Sequence, residues 1–254
     1  MNYGRTRIVI CEDEKDLGKK SAAAVAAKMR ELLTQQEEIR MILAAGESQS
    51  AFLNALAQEQ GIEWNRAVCF NMDDFWDVNM PERFTCGYQT RTQLYEKVLP
   101  RSFHLVHFNV PDAYAEARRF ESLLRAAGPM DILCQGIGTS GHLALNEPFQ
   151  TDFKDSAWVR VVDIAEQSKR QLSEDPNFKE YGIIPDKGIT MTLPAMLSAR
   201  DVFTMVPFGL KRSILTRLLA EPMPTVALPA SILSEFEGTL FMDRQSCPAA
   251  FSSS

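Results

Sequence analysis

The sequence predicts an α/β protein with a mostly parallel sheet covered by helices on both faces. Short apolar runs alternate with longer stretches of helical periodicity along the chain, the pattern of repeated strand–helix–strand units. With 45% hydrophobic residues in 254 there is ample apolar material for a core over both faces. No internal repeat, low-complexity linker or break in composition divides the chain, so one domain over residues 1–254 is expected.

Residues 5–11 (RTRIVIC) form a β-branched run suited to a first strand. Residues 12–35 read as a helix, because Leu17, Ser21, Val25, Met29 and Leu32 recur at steps of three or four with charges between them. Residues 40–45 give the next strand, which ends at Gly46-Glu47-Ser48-Gln49-Ser50 before Phe52, Leu53 and Leu56 open a second helix. A glycine and hydroxyls at that junction suit an anion, since free N–H groups and the helix dipole both favour one. The plainer alternative is that Ser48 caps the helix.

Residues 67–72 (AVCFNM) form a third strand and run into Asp73-Asp74-Phe75-Trp76-Asp77. Acids directly after a buried strand lie where open parallel sheets place ligand groups, although a solvated loop or a helix cap would read the same way. Residues 87–98 look helical, 104–109 strand-like with His104 and His107 as structural histidines, and 112–127 helical. Beyond residue 150, strands are expected at 157–164, 201–206, 224–228 and 239–243, and helices at 165–172, 209–219 and 230–236, with 189–197 as strand or turn. Residues 173–187 carry two prolines and a glycine and form the expected mobile surface loop, with a lid as the alternative; the tail from Gln245 is expected to be loosely held.

The most informative stretch follows residues 131–134. Three glycines, Gly136, Gly138 and Gly141, fall within six residues, then come His142 and, five residues on, Glu147. Glycines after a strand let the backbone turn sharply and approach a ligand, and a histidine there can move protons near neutral pH. An ordinary glycine-rich turn with a surface histidine is the plain alternative. Ser140 and His142 as a nucleophile pair are disfavoured, because i, i+2 spacing in a tight loop argues against hydrogen-bonded activation of the serine. The loop matches neither dinucleotide nor Walker patterns, so nucleotide binding is unsupported.

A net charge of −6 argues against a nucleic-acid or anionic-membrane surface. Cys11, Cys69, Cys86, Cys134 and Cys247 include no CxxC pair and are odd in number, which reads as reduced thiols in a cytoplasmic protein rather than a zinc site. The loop at Gly46–Ser50, the acids at 73–74 and the 136–147 loop all fall at strand ends. Together they offer anion donors, a carboxylate base and a histidine with a carboxylate nearby, a set suited to metal-free proton transfer on a small phosphorylated substrate.

At these residues the chain resembles the glucosamine-6-phosphate deaminases (isomerases) and their relatives, the 6-phosphogluconolactonases. Residues 136–148 (GIGTSGHLALNEP) are similar to the deaminase signature G-x-G-x-D-G-H-[ILT]-A-[FL]-N-E-P, and residues 70–75 (FNMDDF) to F-N-M-D-E-Y. Weaker likenesses are Gly46 to Ser50 at the phosphate loop, Val206-Pro207 with Lys211 near a late phosphate-binding lysine, and Pro229-Ala230-Ser231. Order and spacing fit over roughly residues 5–243, and the Asn-Glu-Pro ending favours the deaminase branch.

The resemblance implies a three-layer α/β/α fold on a Rossmann-like sheet, no metal or organic cofactor, and a sugar phosphate as the small-molecule partner. A homo-oligomer is open, because relatives are monomers, trimers or hexamers. By the same analogy His142 assists ring opening with Glu147 in support, and Asp73 takes the C2 proton and returns one to C1 before ammonia leaves. The 6-phosphate would sit on Gly46, Ser48 and Ser50, with Arg170 and Lys211 supplying charge. The chain departs from the pattern at Ser140, where the family has an aspartate that can orient the histidine; Asp74 or Asp77 are candidates to compensate. It departs again at Phe149-Gln150-Thr151, which lack the small residues usual there, so no effector site is carried over. The alternatives are a lactonase on a sugar-acid phosphate and a sugar-phosphate-binding protein without turnover.

Overall fold

The computed structural model describes residues 1–174 and 176–251. Its first half contains β1 (Asn2–Tyr3), β2 (Thr6–Cys11), α1 (Glu14–Leu33), β3 (Ile39–Leu43), α2 (Glu47–Leu56), β4 (Ala67–Asn71) and β5 (Asp73–Trp76). Next, α3 (Cys86–Thr90) and α4 (Glu96–Val98) are joined by a π-helical turn, and β6 (Ser102–His104), α5 (Ala113–Ala127) and β7 (Ile132–Gln135) follow. After the glycine-rich loop come β8 (Val159–Asp163), α6 (Glu166–Glu174), α7 (Pro176–Tyr181), β9 (Lys187–Met191) and α8 (Leu193–Met196). The chain closes with β10 (Asp201–Val206), α9 (Arg212–Ala220) and β11 (Gly238–Asp243).

The main sheet has the order β1-β2-β11-β10-β7-β3-β4-β6, parallel except for β1. Helices cover both faces, giving the three-layer α/β/α arrangement the resemblance implied. On one face Leu17, Val25 and Met29 of α1 and Phe52 and Leu53 of α2 bury against Met41, Leu43, Cys69 and Cys134. Phe120 and Leu124 of α5 and Ile214, Leu215 and Leu218 of α9 bury against Ile42, Phe70 and Leu133 on the other. The 3.6-residue period in the sequence is thus the stripe that each helix presents to the sheet. Asp13 starts α1 by accepting the Asp16 N–H at 2.8 Å, and Asp112 starts α5 by accepting those of Tyr114 and Ala115. No helix among the described residues is long and apolar enough to cross a membrane.

Several expectations are corrected. Asp73 and Asp74 do not lie in a loop: β5 leaves the main sheet and pairs antiparallel with β9, which pairs with β8 in a second, three-stranded sheet. The strand expected at 104–109 ends at His104, on the outer edge of the sheet, where β4 is its one neighbour. Residues 224–228 make only a Thr225–Leu228 bridge within a turn, because Pro222, Pro224 and Pro229 lack the N–H groups a ladder needs. The helix expected at 230–236 is a 3₁₀ segment, Pro229–Glu235.

Residues 173–187 hold α7, whose Phe178 packs edge-on against Phe75 at 5.3 Å between ring centres; residue 175 of that segment lies outside the described residues. The tail is anchored too: Ser246 and Cys247 are buried, and Ser246 Oγ donates to the Val206 carbonyl at 2.6 Å. His104 stacks on Phe70 at 4.8 Å, while the His107 N–H donates to Glu116 at 2.8 Å.

Candidate active site

Strands β3 and β7 are neighbours, with Leu43 opposite Cys134, yet α2 after β3 and α9 after β10 lie on opposite faces of the sheet. The chain therefore diverges there, and the crevice beyond the carboxyl ends of these two strands is where open α/β sheets bind ligands. Gly46 leaves β3 and Gly136 leaves β7 at that point. The expected Gly46–Ser50 loop is shorter than predicted: α2 starts at Glu47, so Ser48 and Ser50 lie in its first turn. The cap is Gly46, not Ser48, at φ 99°, a conformation that glycine adopts without strain.

A residue not singled out in the sequence holds this junction. Gln89 of α3 accepts the Gly46 N–H at 2.8 Å and donates back to the Gly46 carbonyl at 2.9 Å. It also donates to Ser50 Oγ at 3.1 Å. The Gly46 amide, expected as an anion donor, is thus already committed to Gln89. Across the crevice the loops touch closely: a Cβ on Gly136 would stand 2.8 Å from Gln49 Nε2 and 3.3 Å from Ser48 Oγ.

The loop after β7 closes through Gly138 N–H to the His142 carbonyl (2.9 Å) and Gly141 N–H to the Gly138 carbonyl (3.0 Å). This folds the His142 ring over Gly138, where a Cβ would come within 1.9 Å of Nε2. On the other side of the ring, Nδ1 lies 2.8 Å from Glu147 Oε1 and 2.9 Å from Ser140 Oγ. The tight turn brings Ser140 and His142 into contact despite their i, i+2 spacing. Even so, this is not an activated serine. Ser140 gives its one proton to Glu147 Oε2 at 2.7 Å, so Nδ1 must be the protonated nitrogen, and Nε2 is left for other chemistry.

Ser168 of α6 also donates to Glu147 Oε1. Burial alone would raise the Glu147 carboxyl, but the hydrogen bonds and charge of His142, with those of Ser140 and Ser168, hold it down at about 2. Glu147 therefore occupies the place next to Nδ1 that an aspartate at position 140 would contest. Neither expected substitute acts there: Asp74 accepts the N–H groups of Phe75, Cys86 and Gly87, and Asp77 accepts from Tyr181 and the Asn79 N–H.

The second sheet brings Asp73 to this loop. Asn146 donates to the carbonyls of Leu143 and Met191, each at 2.9 Å, and the Leu145 N–H donates to Thr190 Oγ1, so β9 is stitched to the loop. Asp73 pairs with Thr190 in the adjacent strand. It is 9% exposed, and burial pushes its carboxyl up to about 7 against the attraction of His142. Asp74 is pushed up to about 8, again by burial, with its backbone donors opposing.

Lys211 is buried in the turn before α9 and donates to the Ile137 carbonyl at 2.8 Å, which sets it beside the glycine loop. Burial lowers its ammonium to about 8, with Glu47 opposing. Arg170, by contrast, is exposed and is not drawn to these groups, although its helix is: Thr139 Oγ1 donates to Gln171 at 2.9 Å. A cavity of about 340 Å³ beside Ser140 is lined by Thr139, Phe149, Gln167, Ser213 and Arg217 among others. Phe149, which lines it, has a positive φ (62°), the kind of local strain that recurs at binding sites.

The sequence model of the glucosamine-6-phosphate isomerases/6-phosphogluconolactonase family matches residues 12–242. The chain belongs to that family. Among its relatives, a glucosamine-6-phosphate deaminase of Shouchella clausii (strain KSM-K16) is 27% identical over 215 residues, 83% of this chain and 85% of that protein. Glucosamine-6-phosphate deaminase 2 of Bacillus subtilis (strain 168) is 25% identical over 238 residues, 90% of this chain and 91% of the other. A monomeric glucosamine-6-phosphate deaminase has the same fold, with a TM-score of 0.83 at 23% identity over 95% of this chain and 98% of that one. The 6-phosphogluconolactonase of Thermotoga maritima follows at 0.72 and 20%, over 94% and 99%. The glucosamine-6-phosphate isomerase/6-phosphogluconolactonase fold thus spans nearly the whole chain.

Proposed function

We propose that the protein works as a single-domain amino-sugar 6-phosphate deaminase/isomerase, taking glucosamine 6-phosphate or galactosamine 6-phosphate to a keto-hexose 6-phosphate and ammonia. The observation that carries this reading is a buried carboxylate, Asp73, electrostatically coupled to a histidine whose Nδ1 is occupied by Glu147. Two proton-moving groups with different environments in one crevice suit a reaction that needs two separate proton transfers. The deaminase names of the relatives agree with it.

In this mechanism His142 Nε2 takes the proton of the C1 hydroxyl and passes it to the ring oxygen, opening the pyranose, while Glu147 stabilises the ring charge that forms. Asp73 then removes the C2 proton from the open-chain aldehyde while the aldehyde oxygen gains one, giving an enolamine. It returns the proton to C1 as the amine nitrogen gives one up, which leaves a C1 hydroxyl and an imine at C2. Water adds to the imine and ammonia departs, so substrate and one water balance ketose phosphate and ammonia. A carboxyl held at about 7 is suited to both giving and taking that proton near neutral pH. The 6-phosphate is assigned to the first turn of α2 with Ser48, Ser50 and Lys211, with the exposed Arg170 of α6 as a further cation.

The test is ammonia release by the purified protein from each hexosamine 6-phosphate, with hydrolysis of a sugar-acid phosphate lactone as the control. Release well above background supports the deaminase reading. Lactone hydrolysis without ammonia, or a raised melting temperature with no turnover of either, overturns it in favour of the lactonase or the binding protein.

A further inference from the structure

We propose that Ser168 is a positioning residue for the His142–Glu147 couple: its hydroxyl fixes the Glu147 carboxylate so that Nδ1 keeps its proton and Nε2 faces the substrate. This rests on the reading above in which His142 moves the proton of ring opening. Glu147 is buried and receives hydrogen bonds on both oxygens, from His142 and Ser168 on Oε1 and from Ser140 on Oε2. A buried carboxylate needs its lone pairs occupied, and each donor removed leaves charge that must find another partner.

Two of the donors come from the same loop as Glu147 and move with it. Ser168 alone among them comes from another element, so it alone fixes the carboxylate relative to the rest of the fold. The loop offers Nδ1 one carboxylate, because position 140 is a serine. The plane of Glu147 therefore decides which ring nitrogen holds the proton, and a rotation about its side chain would free Nδ1 to accept from Ser140. Helix α6 has no fully buried residue; Leu172 packs against the cluster of Met80, Phe84 and Phe178, and polar ties run from Ser168 to Glu147, Thr139 to Gln171 and Lys169 to Asp186. Among these ties only the Ser168 hydroxyl reaches the carboxylate that orients the histidine.

The experiment compares Ser168→Ala, Ser168→Thr and Gln171→Ala with the unmodified protein. Turnover of hexosamine 6-phosphate is followed together with the ¹⁵N spectrum of the imidazoles at pH 8. With 3 histidines in the chain, His142 is assigned by its loss in His142→Ala. Ser168→Ala is expected to lower kcat about tenfold with KM within about twofold, the scale of one hydrogen bond to a charged group. It also converts His142 from the Nδ1–H tautomer to a mixture. Ser168→Thr restores both, and Gln171→Ala, which removes the Thr139 tie while Leu172 keeps α6 docked and Ser168 stays on Glu147, leaves the tautomer unchanged. An unchanged tautomer in Ser168→Ala, or the same change in Gln171→Ala, overturns the proposal. If the tautomer shifts as expected while no hexosamine phosphate is turned over, the positioning role stands and the assigned reaction is what fails.

Discussion

Replacing Asp73 by asparagine separates chemistry from stability, and the two should move in opposite directions. Asp73 is nearly buried, and its carboxyl is pushed from 3.8 to about 7, with burial the main cause. A raised acid pKa means the folded state holds a proton that the unfolded chain has released. Between those two values folding stability must fall as pH rises. From pH 5 to pH 8 the linkage amounts to roughly 2.5 kcal/mol lost by the unmodified protein at this one site, within a total of about 4 kcal/mol. Asp73→Asn lacks this proton. Its stability relative to the unmodified protein should therefore increase by about 2–3 kcal/mol over that range, read by urea unfolding at pH 5, 6, 7 and 8. Asp74 is present in both proteins and largely cancels. Over the same range the variant should lose solvent exchange at C2 of the substrate while hexosamine phosphate still raises its melting temperature. A stability difference that stays flat with pH would mean that Asp73 is not desolvated as described. Normal C2 exchange would remove it from the role of base.

Other outcomes follow from the same geometry. His142→Ala should lower kcat by about 10²–10⁴, the usual range for a general acid–base group, and Ser140→Ala by about tenfold; equal losses in steady-state assays would mean that the serine moves the proton itself. Gly138→Ala should match the loss in His142→Ala with far-UV circular dichroism unchanged, because the new methyl would stand 1.9 Å from Nε2 and displace the ring. An active Gly138→Ala would show that the ring is not seated there in turnover. Lys211 is lowered to about 8 by burial, so it loses its charge as pH rises through that value, and KM for a phosphorylated substrate should climb between pH 7 and 9. Lys211→Met should give a high KM that no longer varies over this range, and a KM that still climbs would assign the titration elsewhere.

Periodicity made the main sheet and its large helices readable, because α1, α2 and α5 each bury one continuous stripe. The strand β10 falls on the predicted residues 201–206. The second sheet was not readable. β5 starts two residues after β4 ends, and nothing in residues 67–77 marks that the chain changes partner from β3 to β9. The acids looked like a loop because a strand that switches sheets has the same composition as one that simply ends. In the site, the motif residues Asp73, His142 and Glu147 do converge, since they sit on or beside elements tied by Asn146. Gln89 and Ser168 were missed for a physical reason. Each is a single polar residue on a helix, and only the three-dimensional approach of α3 to Gly46 and of α6 to Glu147 gives it a partner. Ser140, noted as a departure, and Glu147, expected to support His142, both lie at Nδ1, but the hydrogen bond between the serine and the glutamate was not legible, because only the fold of the loop brings residues seven apart together.

The order of strands also governs how the molecule is assembled. β2 leaves the ribosome well before the parallel neighbour it needs, β11, formed by Gly238–Asp243. Until those residues emerge, β2 has only the two-residue β1 beside it, and Ile8 and Ile10 lie along an open edge of unpaired amides. A sheet closed by contacts more than 200 residues apart has a high contact order, and such topologies nucleate slowly. Nascent or refolding chains thus spend time as a partial sheet from β3, β4 and β7 with a sticky flank, and the yield of refolding should fall as protein concentration rises. Strand β11 is the keystone of β2.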